Sequence, residues 1–110
     1  MEIKVTEVND IIVISLEGKL DSTTAPETET GINKYIEQKV PKMVVSLKDT
    51  SYVSSAGLRV FLATAKKMTA AGCTVKFCCP NEVVKEILEI SGFSSILDIK
   101  ETEQDAVDSM

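Results

Sequence analysis

Short apolar runs alternate with amphipathic segments along almost the whole chain. The apolar Ile3 and Val5 alternate with polar residues up to Glu7, which is typical of a half-exposed strand. Residues 11–16 form a nearly continuous β-branched run, which is typical of a strand buried on both faces. Asn9 and Asp10 between them tolerate a positive φ, so the sequence predicts a hairpin. Further strands are predicted at residues 43–47, 73–78 and 96–99.

About four helices are predicted, three of them from apolar residues spaced three and four apart. The first follows Thr24, whose spacing to Glu27 fits a capping box, and its apolar face carries Ile32, Tyr35 and Ile36. The other helices are predicted between residues 55 and 72, between 80 and 92, and over 102–110, where a frayed tail is the alternative.

The element order β-β-α-β-α-β-α-β-α predicts an α/β fold. Strands that alternate with helices are joined by right-handed crossovers into a mostly parallel sheet, and the opening hairpin adds one antiparallel strand. We expect a mixed sheet of four to five strands with about four helices. A chain of 110 residues suits one domain, so residues 1–110 are predicted to form a single domain with its core at about 2–100.

Composition argues against several classes of function. The chain carries 17 acidic and 12 basic residues, a net charge of −5, whereas nucleic-acid binding needs clustered Lys and Arg. It has no histidine, which excludes Ser-His-Asp and Cys-His catalysis and zinc sites that need imidazole. Glycine-rich phosphate loops are absent as well. We therefore expect no enzyme activity, no cofactor, no metal and no nucleic-acid partner.

The expected location is the cytoplasm. No apolar run approaches the roughly 18 residues of a membrane-spanning helix, so no membrane insertion is expected. The first residues lack the basic start and apolar stretch of a secretion leader. Cys73, Cys78 and Cys79 are an odd number of cysteines in a small acidic chain, and we interpret them as reduced, ordinary small buried residues.

One polar segment, Ser51–Leu58, follows a predicted buried strand and leads into the second helix. Exposed sites of parallel α/β sheets lie at the carboxyl ends of their strands. One interpretation is structural: Ser54 or Ser55 caps the helix by accepting a hydrogen bond from an early backbone N–H. The other is functional: one serine accepts a phosphate, which would face free N–H groups and the positive end of the helix dipole.

Three segments resemble the signature of the STAS domain family, and more narrowly that of the bacterial anti-sigma factor antagonists. The resemblance extends over about residues 2–100. The matching segments are Leu47–Arg59 around the two serines, Gly18–Asp21 followed by Thr24–Pro26, and Ile90–Phe93 followed by Ile96.

This resemblance implies a STAS fold and a monomeric protein switch that is not an enzyme. Without phosphate, such a protein binds an anti-sigma factor that is itself a serine/threonine kinase, and a sigma factor is freed. Phosphorylation abolishes binding, and a PP2C-type phosphatase restores it. By position the phosphorylated residue is Ser55, with Ser54 as second choice. Ser54 stands where the family usually has Asp, and Ala56 where it has Ser or Thr.

The partner surface is expected to surround Ser55. From the i, i+4 spacing we hypothesise that Arg59 shares a helix face with Ser55 and bonds its phosphate, the alternatives being a solvated arginine or a partner contact. Asp21 matches the family's Asp before the first helix. The alternative interpretation of Asp21 is a turn residue whose side chain bonds nearby backbone groups. The predicted partner-binding residues are Asp21, Ser22, Thr23, Tyr52, Val53, Ser54, Gly57 and Arg59.

Two other functions compete with the antagonist hypothesis. The first uses the same fold as a STAS subunit of a stress-signalling scaffold or of a lipid or anion transporter complex, whose partners would be scaffold or transporter chains. The second belongs to another class, a small nucleotide-binding enzyme. The missing histidine and the missing phosphate loops argue against this enzyme.

Overall fold

The computed structural model describes residues 1–110, and one six-stranded mixed sheet forms its centre. The strands are β1 (Glu2–Val8), β2 (Ile11–Leu20), β3 (Lys42–Ser46), β4 (Thr50–Val53), β5 (Thr74–Cys78) and β6 (Ile99–Lys100). They are ordered β1-β2-β3-β5-β6, and β4 pairs with β2 beyond the end of β3. Only β1 is antiparallel to its neighbour, because Asn9 and Asp10 both take positive φ and reverse the chain as predicted.

Four α-helices accompany the sheet: α1 (Ala25–Glu37), α2 (Ser55–Ala70), α3 (Glu82–Ile90) and α4 (Glu103–Asp108). Helices α1 to α3 cover one face of the sheet and enclose the larger core. There the rings of Phe61 and Phe77 lie 5.1 Å apart between centroids. The predicted α/β class, the mostly parallel sheet and the four helices are confirmed. None of these helices combines the length and the apolar character needed to cross a membrane.

Strand β4 is one strand more than the sequence predicts. Residues 48–55 have the composition of a polar connection, yet Thr50–Val53 pair with the end of β2. The strand is buried only at its first and last residue, so it shows neither alternation nor an apolar run. Its pairing partner decides its conformation, and the Thr50 hydroxyl adds a buried 2.7 Å hydrogen bond to the Leu16 carbonyl.

A smaller core lies beneath α4 on the second face of the sheet. Ala106 and Val107 are buried there against side chains of β2, β3 and β5. The buried Lys76 side chain holds the end of the chain, since its Nζ donates to the Ser109 carbonyl at 3.0 Å and pairs with the Asp98 carboxylate at 3.2 Å. The C-terminal segment is therefore a docked helix and not a frayed tail.

Two predicted details near element ends are wrong. Thr24 forms no capping box, because its backbone is in the helical region (φ −95°, ψ −18°) and its hydroxyl donates to the Lys19 carbonyl at 2.8 Å. Glu27 pairs with the N-terminal ammonium group instead. Ile96 follows a 3₁₀ turn at Phe93–Ser95 and is exposed, so the edge strand is only the two residues of β6.

The substitution Val107→Ala tests the docking of α4. It removes two buried methyl groups and should lower the free energy of unfolding, measured by urea denaturation, by about 1–2 kcal/mol. The matched control is the exposed neighbour change Asp108→Ala, which should alter it by less than about 0.5 kcal/mol. Equal, negligible effects of the two changes would show that α4 is not docked.

Candidate functional site

Two loops at the carboxyl edge of the sheet meet to form the candidate site. Strands β2 and β4 are parallel, so both end at this edge. Asp21 follows β2 and leads into α1, and Ser54 follows β4 and leads into α2. The Ser54 amide donates to the Leu20 carbonyl at 2.8 Å, which joins the two loops directly.

The Asp21 side chain organises the loop before α1. Its Oδ1 accepts hydrogen bonds from the amides of Thr23 and Thr24 at 2.9 and 3.1 Å, and its carbonyl accepts from the Ala25 amide at 2.8 Å. The bonds from the Thr24 and Thr23 amides favour the ionised carboxylate and lower the pKa of Asp21. Asp21 is thus a turn residue and, at the same time, a fixed negative charge at a partly exposed position.

Gly57 allows α2 to rest directly on the ends of the two strands. A Cβ at this position would lie 2.7 Å from Leu20 Cγ and 2.8 Å from Val53 Cγ1, closer than real Cβ atoms approach other heavy atoms. Both neighbours are buried core side chains with little room to move. The absence of a side chain at Gly57 therefore sets the position of the first turn of α2.

The two adjacent serines differ in their roles. Ser54 is the N-cap of α2, with an extended backbone and an Oγ that accepts a long, 3.5 Å hydrogen bond from the Gly57 amide. Ser55 is the first helical residue, and its side chain is exposed and has no hydrogen-bond partner within the chain. Backbone N–H groups in a first helical turn lack intrahelical partners, and no acidic residue occupies this turn. The structure thus assigns capping to Ser54 and leaves the Ser55 hydroxyl free.

Tyr52 and Arg59 extend the exposed surface on either side of Ser55. Tyr52 is 43% exposed on β4. Arg59, the only arginine of the chain, is exposed one turn after Ser55 and forms no ion pair within the protein. A side chain with this freedom can meet a phosphate or a partner carboxylate.

A shallow cleft of about 210 Å³ separates the first turns of α1 and α2 next to Ser55. Its lining residues are Ala25, Pro26 and Glu29 from α1 and Ala56, Arg59 and Val60 from α2. Spacing along the chain does not reveal the α1 wall, because only the tertiary fold places the two helices side by side. Glu29 is the one additional charged residue that this cleft brings to the site.

Most of the predicted partner-binding residues reach the surface, but two do not. Val53 is only 1% exposed and Gly57 is buried, so neither offers a side chain to a partner, and both support the surface from beneath. The burial of Val53 follows from the extra strand β4, which the sequence does not predict, and the burial of Gly57 follows from the close approach of α2. Exposed or partly exposed members of the predicted set are Asp21, Ser22, Thr23, Tyr52, Ser54 and Arg59.

The side chains exposed at this site are hydroxyl and charged groups. A nucleophilic serine needs a general base within hydrogen-bond reach, and the Ser55 hydroxyl has no side chain bonded to it. No group of three or more His, Cys, Asp or Glu side chains is arranged to hold a metal ion anywhere in the protein. The site therefore presents the Ser55 hydroxyl, without a hydrogen-bond partner, on a charged surface.

Comparison with known proteins gives consistent matches. The STAS domain family model matches residues 2–106. The anti-sigma-B factor antagonist of Bacillus subtilis (strain 168) is 33% identical over 91 residues, which cover 83% of this chain and 82% of that protein. The anti-sigma factor antagonist SpoIIAA in its unphosphorylated form has a TM-score of 0.81 at 22% identity, covering 98% of this chain and 95% of the other. The Bacillus cell fate determinant SpoIIAA in its phosphorylated form has a TM-score of 0.73 at 20% identity, covering 98% of each chain.

The pair Gly57→Ala and Gly31→Ala tests the close packing under the site. The new Cβ at position 57 would press on two buried branched carbons, so the free energy of unfolding should fall by about 1–3 kcal/mol. At position 31, inside α1, the new Cβ meets only the flexible end of Ile3, and the helical preference of Ala over Gly contributes up to about 1 kcal/mol in favour. Equal effects in thermal or urea unfolding would contradict the role of Gly57.

Proposed function

The chain belongs to the STAS domain family, and within it we propose that this protein is an anti-sigma factor antagonist that is switched off by phosphorylation of Ser55. Without phosphate it binds an anti-sigma factor serine/threonine kinase in the cytoplasm, and a sigma factor is freed. The kinase then phosphorylates Ser55 and releases the protein, and a PP2C-type phosphatase removes the phosphate. The protein itself acts as a regulatory binding module and catalyses no reaction.

The free Ser55 hydroxyl is the observation that carries this proposal. A kinase must surround the acceptor hydroxyl, and Ser55 is exposed, whereas the neighbouring Ser54 oxygen is occupied as the cap of α2. The backbone around Ser55 is ordered by the hydrogen bond from the Ser54 amide to the Leu20 carbonyl and by the packing of Gly57. A kinase therefore meets a preformed surface and not a flexible tail.

Phosphate at Ser55 is compatible with the folded structure. A phosphate at the first helical position faces free backbone N–H groups and the positive end of the α2 dipole, where anions are stabilised. The modification thus requires no melting of α2. Support for this view comes from the same fold in SpoIIAA, which has been solved in an unphosphorylated and in a phosphorylated form.

Charge explains how the modified surface would lose its partner. Phosphorylation adds about −1.5 to −2 charges at neutral pH. The addition falls at the edge of the sheet where the Ser54 amide bonds the carbonyl of Leu20, the residue before the ionised Asp21. Ala56, which follows Ser55, lines the same cleft as Glu29. A partner that fits the unmodified surface would have to desolvate this dianion without a matching cation, which is costly. Release therefore follows from a local change in charge.

Substitutions of Ser55 test the switch. Ser55→Ala should bind the anti-sigma factor kinase of the same cell with unchanged affinity, because the hydroxyl makes no bond in the free protein, but it should accept no phosphate from ATP. Ser55→Glu should weaken binding by at least about tenfold, which corresponds to about 1.4 kcal/mol. Calorimetry gives the dissociation constants, and tandem mass spectrometry locates the phosphate.

Ser54→Ala is the matched control for these experiments. It removes the cap of α2 and should lower the free energy of unfolding by about 0.5–2 kcal/mol, yet phosphorylation at Ser55 should continue. Phosphate on Ser54, or undiminished phosphorylation of Ser55→Ala, would refute Ser55 as the acceptor. Binding of no anti-sigma factor kinase by any variant would refute the antagonist function and favour a scaffold or transporter subunit.

The second pKa of a phosphate on Ser55 tests the hypothesis that Arg59 bonds this phosphate. An exposed ion pair contributes about 0.2–1 kcal/mol, and one pKa unit equals 1.36 kcal/mol, so Arg59→Gln should raise the second pKa of the phosphoserine by about 0.2–0.7. Phosphorus NMR titration of the phosphorylated protein measures this pKa. The Arg59→Lys variant keeps the charge, so its phosphoserine pKa should lie between those of the wild type and of Arg59→Gln. An unchanged pKa with unchanged phosphorylation and release rates would leave Arg59 as a solvated or partner-binding residue.

A further inference from the structure

Cys78 and Cys79 hold their sulfur atoms on the same face of the sheet. Successive side chains of a strand normally point to opposite faces. Cys78 is the last residue of β5 and faces the smaller core beneath α4. Cys79 has left the strand with φ at +63°, a left-handed conformation that is unusual for a residue with a side chain, and it packs against the same core. The two Sγ atoms are consequently only 3.2 Å apart.

We propose that Cys78 and Cys79 form a redox-active dithiol, a modification site that closes reversibly into a disulfide between adjacent residues. The oxidant is a hydroperoxide, and a small thiol reverses the reaction. The proposal rests on the geometry at the end of β5 and is independent of the proposed function of Ser55.

The two thiols have different environments and therefore different roles. Cys79 is partly exposed and can meet an oxidant from solution, whereas Cys78 is fully buried. Burial raises the pKa of the Cys78 thiol to about 12, so it stays protonated at neutral pH. Because only Cys79 is reached from solution, Cys79 attacks the peroxide, and the buried Cys78 is the resolving residue, which gives up its proton as the ring closes.

The reaction balances with one hydroperoxide for each pair of thiols. The Cys79 thiolate attacks the peroxide, the O–O bond breaks, and a sulfenic acid forms while the alkoxide takes up a proton and leaves as an alcohol, or as water from hydrogen peroxide. The Cys78 sulfur then attacks the sulfenic sulfur. The S–S bond forms, the S–OH bond breaks, and the hydroxide leaves as water with the Cys78 proton. Two electrons pass from the dithiol to the peroxide.

Ring closure needs a small movement and gives a bond that is easily reduced. The sulfur atoms must approach by about 1.2 Å, from 3.2 Å to the usual S–S length of about 2.05 Å. Adjacent Cα atoms are about 3.8 Å apart, which is below the usual range of about 4.4–6.8 Å for disulfides. Such a strained, partly exposed disulfide belongs to the labile and regulatory class rather than to the structural class.

Cys73 provides an internal control. It precedes β5, at the end of the strand opposite to Cys78, and it packs against the larger core on the other face of the sheet. The five residues of β5 separate it from the pair by roughly 16 Å, too far for a disulfide. Oxidation of the pair should therefore leave Cys73 as a free thiol.

Peptide mapping of the full chain tests the proposal directly. The protein is treated with hydrogen peroxide, alkylated under denaturing conditions and cleaved with trypsin, which cuts after Lys76 and Lys85 and leaves both cysteines in one peptide, residues 77–85. We expect this peptide to become two hydrogens lighter and resistant to alkylation, and to regain two alkyl groups after reduction. The separate peptide of residues 68–76 should carry alkylated Cys73 throughout.

Cysteine variants and the alkylation pattern distinguish a redox-active dithiol from ordinary cysteines. Cys79→Ser should abolish ring closure while Cys73→Ser leaves it unchanged, and circular dichroism confirms that both variants are folded. Full alkylation of the wild-type peptide after peroxide treatment would overturn the proposal. So would a sulfinic acid on Cys79 without ring closure, or disulfides between two copies of the chain.

Discussion

The contact of the first turn of α2 with the ends of β2 and β4 is the constraint on which the site depends. Leu20 and Val53 are buried beneath that turn, and Gly57 has no Cβ that could hold the helix away from them. The hydrogen bond from the Ser54 amide to the Leu20 carbonyl ties the same two strands together. Ser55 owes its place to this packing, since its own side chain is exposed and makes no hydrogen bond within the chain.

The residues that stabilise the fold and the residues of the candidate site lie in different parts of the sheet. Its larger core, with three helices on one face, and its smaller core under α4 together bury the side chains that hold the fold. Charged and polar groups are left at the carboxyl edge, where Asp21 is fixed in its turn and Arg59 is free. A charge added at this edge alters what a partner meets while the packing beneath it stays the same. The proposed switch would therefore work without refolding.

Sequence patterns predict the parts of the fold that depend on local chemistry. The hairpin at Asn9–Asp10 follows from turn residues, and the first three helices follow from apolar spacing. Strand β4 is not predicted, because its conformation comes from pairing with β2, where Gly18 pairs with Thr50. Such a long-range pairing leaves no periodic pattern in the sequence. The burial of Val53 and the α1 wall of the cleft are not predicted either, because both depend on which elements become neighbours in space. The left-handed Cys79, which brings two sulfurs together, likewise has no pattern that marks it.

The central claim is that phosphate on Ser55 changes the charge of a preformed surface and leaves the fold intact. Amide chemical shifts of the phosphorylated and unphosphorylated protein, recorded by two-dimensional NMR, test it most directly. The account predicts that shift changes are confined to the loop after β2, the end of β4 and the first turns of α1 and α2. Changes that spread through β3, β5 and α4, or that signal the melting of α2, would contradict it.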